Sequence, residues 1–323
     1  MMRHFGTTAD GRDLQAIDIA AGEIRATILT YGGILQDLRL EGVDHWVTLG
    51  SDSLADYEAG MGYFGAIVAP VANRLRNARA PIAGRIHEFE ANQDGKHILH
   101  SASCGTHLKI WDVADRDASS VTLTCDLPDG EGGFPGNRRI EARFEARAPS
   151  TLRMTLRATT DAPTLMNPVN HSYWNLDGSD SWSGHHLKVA AEDYLPADTA
   201  ILPTGEIAPV MGTQFDFRQG RVITPEDTRL DHNLCLDGGK TDLREVLWLR
   251  GTRGLAMALA TTEPGVQIFD GRAPGRPGDP VHQALAIEAQ GWPDAPNNPA
   301  FPGIDLAPGE TYEQVTEWRF ARP

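Results

Sequence analysis

The sequence predicts an all-β protein, a large antiparallel β-sandwich with very little helix. Apolar and polar residues alternate with period 2 in stretch after stretch, and 33 Gly and 21 Pro supply turns between them. Sustained helical periodicity is absent, and Ser53 to Gly60 reads as one short helix. With 41% hydrophobic and 23% charged residues, the chain can bury a core and does not read as disordered.

The strands follow in order. Ile24, Ala26 and Ile28 alternate with Arg25 and Thr27 until Tyr31-Gly32-Gly33 breaks the run. Val121, Leu123, Cys125 and Leu127 alternate with Thr122, Thr124 and Asp126. Ile140, Ala142, Phe144 and Ala146 alternate with charged residues, as do Leu152, Met154 and Leu156 with Arg153, Thr155 and Arg157. Each run has one apolar and one polar face, the mark of a half-buried antiparallel strand. Asp129 to Gly136 reads as a long hairpin turn. Pro274 to Pro280 reads as a surface loop, and no linker or composition shift divides residues 1–323, so one β domain of two or more packed sheets is expected.

Charge and composition narrow the function. Asp plus Glu number 44 against 29 Lys plus Arg, a net charge of −15. Such a surface repels phosphate backbones and anionic membranes, so neither nucleic acid nor a membrane is an expected partner. A neutral small molecule fits better. Cys104, Cys125 and Cys235 are too scattered for a disulfide framework or a zinc motif. With no apolar leader at Met1 to Gly6 and no run of about 18 apolar residues, a soluble cytoplasmic protein is expected. Nucleophile-elbow, phosphate-loop and dinucleotide motifs are missing. His97 and His100 sit three apart with no acidic ligand beside them, so no metal is expected.

Five stretches carry chemistry. In Leu285 to Asn297, Leu285 and Ile287 read as the buried face of a strand and Ala286 and Glu288 as the other. Glu288 is a strand-end carboxylate with small neighbours, a candidate general base, with Trp292 and polar residues as a rim. Asn73-Arg74 places a fork donor for hydroxyls near a strand end. Lys96 to Ser101 brings His100 beside small residues. Asn167 to Leu176 gathers His171, Tyr173, Trp174 and several amides, groups that stack on and hydrogen-bond a sugar. Asp231-His232-Asn233 reads as a turn with an Asx cap.

Together these stretches resemble the aldose 1-epimerase, or galactose mutarotase, family. Asn73-Arg74, Leu99-His100 and Asn170-His171-Ser172-Tyr173-Trp174-Asn175-Leu176 match its motifs. Pro203 to Glu206 with Gly212 to Arg218, Asp231-His232-Asn233, Glu288 to Asn297 and Pro308 to Tyr312 follow in the same order. The resemblance implies a mutarotase-like supersandwich fold and cofactor-free interconversion of the α and β anomers of an aldose such as galactose or glucose. It implies Glu288 as base, His171 as acid and His100 as a hydrogen-bonding partner. Arg74, Asp231, Asn73 and Gln267 would grip the hydroxyls. A carboxylate near His171 would raise its pKa. The family's usual Gly-Gly after its first His is here Ser101-Ala102, its Asn before Leu-His is His97, and its Gly-Arg is Ala69-Pro70. These departures are expected at the cleft edge, where they bear on which sugar is preferred. The rival readings are a sugar 6-phosphate 1-epimerase on the same fold, a non-catalytic carbohydrate-binding protein, and a glycosidase pairing Glu288 with Asp231 or Asp294. A monomer is the default, with a dimer the alternative.

Overall fold

The structure is a computed structural model and describes residues 1–226 and 229–322. Three large sheets, all with antiparallel ladders, organise the described residues. The largest has nine strands. Its order is Asp112–Arg116, Ser120–Leu127, Arg138–Arg147, Thr151–Thr160, Tyr312–Ala321, Ala256–Thr261, Arg244–Arg250, His186–Val189 and Arg221–Val222. A four-stranded sheet runs from Met2–Thr7 through Asp13–Ala21 and Ile24–Leu29 to Leu35–Leu40. A six-stranded sheet orders Tyr173–Trp174, Leu285–Gln290, Gly265–Phe269, Asp231–Cys235, Asp193–Tyr194 and Ala208–Pro209. The one α-helix among the described residues is Leu54–Glu58, within the span expected for it.

The alternation in the sequence explains the packing. In Arg138–Arg147 every second residue is buried, and Ile140, Ala142, Phe144 and Ala146 form that face. These side chains join Ile17, Ile19 and Ile28 of the four-stranded sheet and Val266, Ile268, Leu285 and Ile287 of the six-stranded sheet in one apolar cluster. The core is therefore the space between the large sheet and the two smaller ones, which is how face-to-face sheets bury their apolar sides. Asp129 to Gly136 turns the chain between two neighbouring strands, as expected.

One strand departs from the expected pattern. Leu285–Gln290 is buried along its whole length, on both faces. Leu285, Ile287 and Ala289 enter the main core. Ala286 packs into a second cluster with Tyr31, Tyr57, Phe64 and Tyr173, and Glu288 shares its face. The strand is covered on its second side by the segment 60–108, which folds over the six-stranded sheet in short irregular pieces. Trp292 is also buried, its indole N–H donating to the Pro264 carbonyl at 3.0 Å, so it is core and not a rim.

Gly65 joins that covering segment to the sheet. Its N–H donates to the His171 carbonyl at 3.0 Å, and its own carbonyl accepts from Leu35 N–H at 2.8 Å and from Asn170 Nδ2 at 2.8 Å. The residue has φ +73, and a Cβ there would lie 2.2 Å from the Leu35 carbonyl oxygen. Gly65→Ala is expected to destabilise the fold by at least about 1–3 kcal/mol, from the backbone conformation alone. A fall in the thermal midpoint by circular dichroism checks this, and an unchanged midpoint refutes it.

Candidate active site

Ladder register builds the floor of the site. Gln267 lies opposite both Asn233 and Glu288, Phe269 opposite both Asp231 and Ala286, and Tyr173 opposite Ala286. Directly opposed residues share a face, and residues two apart share it too. Tyr173, Glu288, Gln267, Phe269 and Asp231 therefore project from the same side of the six-stranded sheet. The opposite wall comes from Tyr63, Phe64 and the paired short strands Arg74–Leu75 and Ile98–Leu99, with Asn73 and His100 at their ends. Ala273 and Pro274 of the following loop close one side. The enclosed cavity has a volume of about 240 Å³.

The two proton-handling candidates meet there. His171 Nε2 lies 3.5 Å from Glu288 Oε1, and both side chains are buried. The His171 backbone is fixed by its N–H donating to the Ala66 carbonyl at 2.9 Å. Burial dominates the acidity of both groups. It pushes Glu288 up to about 8, with the Asp231 charge adding to the shift and Arg74 opposing it. It pulls His171 down to about 4, with the His107 imidazole adding a smaller push downward. The carboxylate beside the imidazole was expected to raise its pKa, but burial lowers it instead.

His100 is held differently. Asn73 N–H donates to His100 Nδ1 at 3.2 Å, while His100 N–H donates to the Asn73 carbonyl at 2.8 Å. Burial and the neighbouring His171 and Arg74 charges keep the ring well below its ordinary pKa. A neutral imidazole that accepts at Nδ1 must carry its proton on Nε2. His100 is therefore a fixed donor at Nε2. The same bond tests the trio as a metal centre, since ligand atoms of His100, His171 and Glu288 lie within 4.8 Å of one another. A ligating imidazole donates its second N–H to an acceptor. Here His100 Nδ1 faces an N–H donor and His171 Nδ1 has no partner, so the set does not fit a metal.

Arg74 and Asp231 form the polar end. Arg74 Nη2 is 3.9 Å from Asp231 Oδ2, its Nε donates to Gln93 Oε1 at 2.8 Å, and its Nη1 donates to Asn73 Oδ1 at 3.4 Å. Asp231 begins a strand and does not cap a turn. Burial raises its pKa against the pull of Arg74, Arg272 and Gln267. Gln267, expected on the wall, projects from the same face as Glu288, and its Nε2 donates to Asp231 Oδ1 at 2.8 Å, which fixes that carboxylate.

Several other expectations are corrected. In the aromatic and amide stretch only His171 and Tyr173 line the cavity. Trp174 is fully buried against Trp318. Asn170 Nδ2 donates to the Gly65 carbonyl, and Asn175 Nδ2 donates to Ser179 and Gln283 carbonyls, so these amides serve the backbone. Asp294 accepts from Arg76 N–H at 2.9 Å and from Asn297 Nδ2 at 2.7 Å, and it is outside the cavity lining. The three departures from the family pattern also lie outside that lining. Ser101 and Ala102 adopt φ of 62 and 47, left-handed conformations that glycine adopts freely. Ser101 Oγ both accepts from Val71 N–H at 2.9 Å and donates to the Val71 carbonyl at 2.8 Å. His97 Nδ1 accepts from Asn77 N–H at 3.0 Å, and the Ala69 and Pro70 carbonyls accept from Thr106 and Asn167 N–H groups. They shape the backbone beneath the site and do not edge it. Missed by the sequence reading were Tyr63, Phe64 and Phe269. Phe269 sits two residues after Gln267 on the same face, and that alternation was the available signal.

The chain is similar to known proteins over nearly its whole length. The family model described as aldose 1-epimerase matches residues 15–319. Galactose mutarotase of Bos taurus is 32% identical, over 95% of this chain and 94% of its own. Aldose 1-epimerase of Escherichia coli K12 is 31% identical, over 91% of each chain. The crystal structure of an aldose epimerase homologue from C. elegans superposes with a TM-score of 0.88 at 28% identity, covering 95% of this chain and 99% of its own. Fold and site thus define a carbohydrate isomerase of the mutarotase-like supersandwich class. The chain belongs to the aldose 1-epimerase family.

The charges at the polar end make one expectation testable. The Asp231 carboxylate disfavours ionisation of Glu288, so Asp231→Asn is expected to bring the Glu288 pKa below about 8. Carboxyl-carbon NMR of glutamate-labelled protein reads it directly. A Glu288 that titrates unchanged, or higher, contradicts the coupling.

Proposed function

We propose that the protein interconverts the α and β anomers of a neutral aldose, such as galactose or glucose, by acid–base ring opening and reclosure. The observation that carries this reading is the 3.5 Å approach of His171 Nε2 to Glu288 Oε1 in a buried cavity. Mutarotation needs a proton taken from the C1 hydroxyl and another given to the ring oxygen, two atoms bonded to one carbon. A base and an acid a few ångströms apart suit that task. Glu288 is the base and His171 the acid. Breaking the C1–O5 bond leaves an open-chain aldehyde with Glu288 protonated and His171 neutral. The C1–C2 bond then rotates, His171 recovers its proton from the 5-hydroxyl as O5 attacks the other face, and Glu288 returns its proton to O1.

The pair holds one proton throughout, and burial favours the arrangement that corresponds to the open-chain stage. Glu288 Oε2 has no protein partner, so sugar hydroxyls are the groups available to stabilise its ionised form. His100 Nε2–H donates to the oxygen at C1 and holds the aldehyde. Arg74 and Asp231 bind hydroxyls further round the ring, with Asn73 beside them. No cofactor enters the scheme.

A 6-phosphate substrate would need cations, and Arg74 is the one Lys or Arg among the described residues lining the cavity. Arg74 is already shared with Asp231, which supports an uncharged sugar. A carbohydrate-binding protein without catalysis has no need of two groups with acidities displaced toward each other's range. A glycosidase partner at Asp294 is disfavoured, since Asp294 is committed to Arg76 and Asn297.

Polarimetry across a panel of pentoses, hexoses and glucose 6-phosphate tests the reading, and the absence of any acceleration on neutral aldoses refutes it. Glu288→Gln is expected to lower kcat by about 10²–10⁴-fold with little change in KM. Arg74→Lys loses the fork but keeps the charge, so KM should rise on at least one aldose while kcat is largely kept. The pH dependence of kcat/KM should be bell-shaped. Below about 4 His171 takes a second proton onto the pair, and above about 8 Glu288 loses the last one. A profile flat across either limit removes that group from the reaction.

A further inference from the structure

We propose that Tyr63 is a positioning residue that keeps the His171 imidazole aimed at Glu288 by ring packing, and that the same ring steadies His100. The proposal rests on the acid–base reading above. Hydrogen bonds do not orient the His171 ring. Its Nδ1 has no partner within the protein, and its Nε2 has only Glu288 Oε1 at 3.5 Å. Rotation of an imidazole about its Cβ–Cγ bond is soft, so something else must set the plane.

Two tyrosine rings do. Tyr63 lies 5.8 Å from His171 between centroids, with planes 23° apart, and Tyr173 lies 5.1 Å away at 24°. Tyr173 is itself locked, stacked on Phe64 at 3.9 Å and 8°. Tyr63 is anchored by packing on Val68, Ala72 and Val169, all fully buried. It also meets His100 at 4.6 Å and His107 at 4.8 Å. One ring thus touches both imidazoles of the site, which cross at 69° and 5.1 Å. Its flat face transmits the rigidity of the Val68 and Val169 strand pair to the reacting nitrogen. Such arrangements matter because a misplacement of about 1 Å costs on the order of 10²-fold in rate.

The ring and not the hydroxyl is the working part, so the variants separate cleanly. Tyr63→Leu removes the face and should lower kcat by about 10–100-fold, with KM within about threefold. Tyr63→Phe keeps the face and should restore kcat to within a few-fold of the parent, an estimate on the same reasoning. In a His171→Gln background the Leu change should have little further effect, because the two act as one unit. A crystal structure of Tyr63→Leu should show the His171 ring turned and its Nε2 further than 3.5 Å from Glu288. An unmoved ring in that structure overturns the proposal. So does Tyr63→Phe failing as badly as Tyr63→Leu, which would make the hydroxyl a substrate contact, and so does a rise in KM alone. If the parent protein accelerates no mutarotation, the acid–base reading falls by itself, while the crystallographic comparison still decides whether Tyr63 orients His171.

Discussion

The structure turns on taking one carboxylate out of water. Glu288 sits on a strand buried on both faces, between the main core and the segment that folds over it. A charged group in that position is strongly disfavoured, and the protein responds by raising its proton affinity and by setting a neutral imidazole beside it. The Gly65 junction brings the covering segment down, the aromatic rings exclude solvent, and Gln267 braces Asp231. Without the covering segment Glu288 would be an ordinary solvated carboxylate and a much weaker base at neutral pH.

Much of this was legible in the residues alone. The alternation of Val121 to Leu127, Ile140 to Ala146 and Leu152 to Leu156 is a local property, and the ladders formed as that alternation requires. Glu288, His171, His100, Arg74 and Asp231, each singled out in the sequence, line one cavity. What escaped was set by long-range packing. Nothing local says that Ala286 and Glu288 face a second apolar cluster, because Tyr31, Tyr57, Phe64 and Tyr173, which pack on Ala286 there, lie more than a hundred residues away. Nothing local separates Asn170 from His171 either; the amide turned to the Gly65 carbonyl and the imidazole to the cavity. Tyr63 and Phe64 carry no motif of their own and gain meaning from the rings they meet.

The departures at Ser101-Ala102 show how a backbone requirement can masquerade as a site feature. The positions demand positive φ, which glycine meets freely and other residues meet with strain. Ser101 offsets part of that strain by clasping both polar groups of Val71 with its hydroxyl. The identity of the residue is thus a matter of how the loop is fastened, and both residues lie outside the cavity lining.

The pairing of Gly265–Phe269 with Leu285–Gln290 has a consequence for assembly of the chain itself. Gln267 faces Glu288 across that ladder while Ile268 faces Ile287. A slip of one residue would drive the carboxylate into hydrocarbon and swing an isoleucine into the cavity. Misthreading would therefore be penalised twice over, by a stranded charge and by a lost oily contact. The register that turns Glu288 to the cavity is thus the same one that turns Ile287 to the core, and neither placement can be lost without the other.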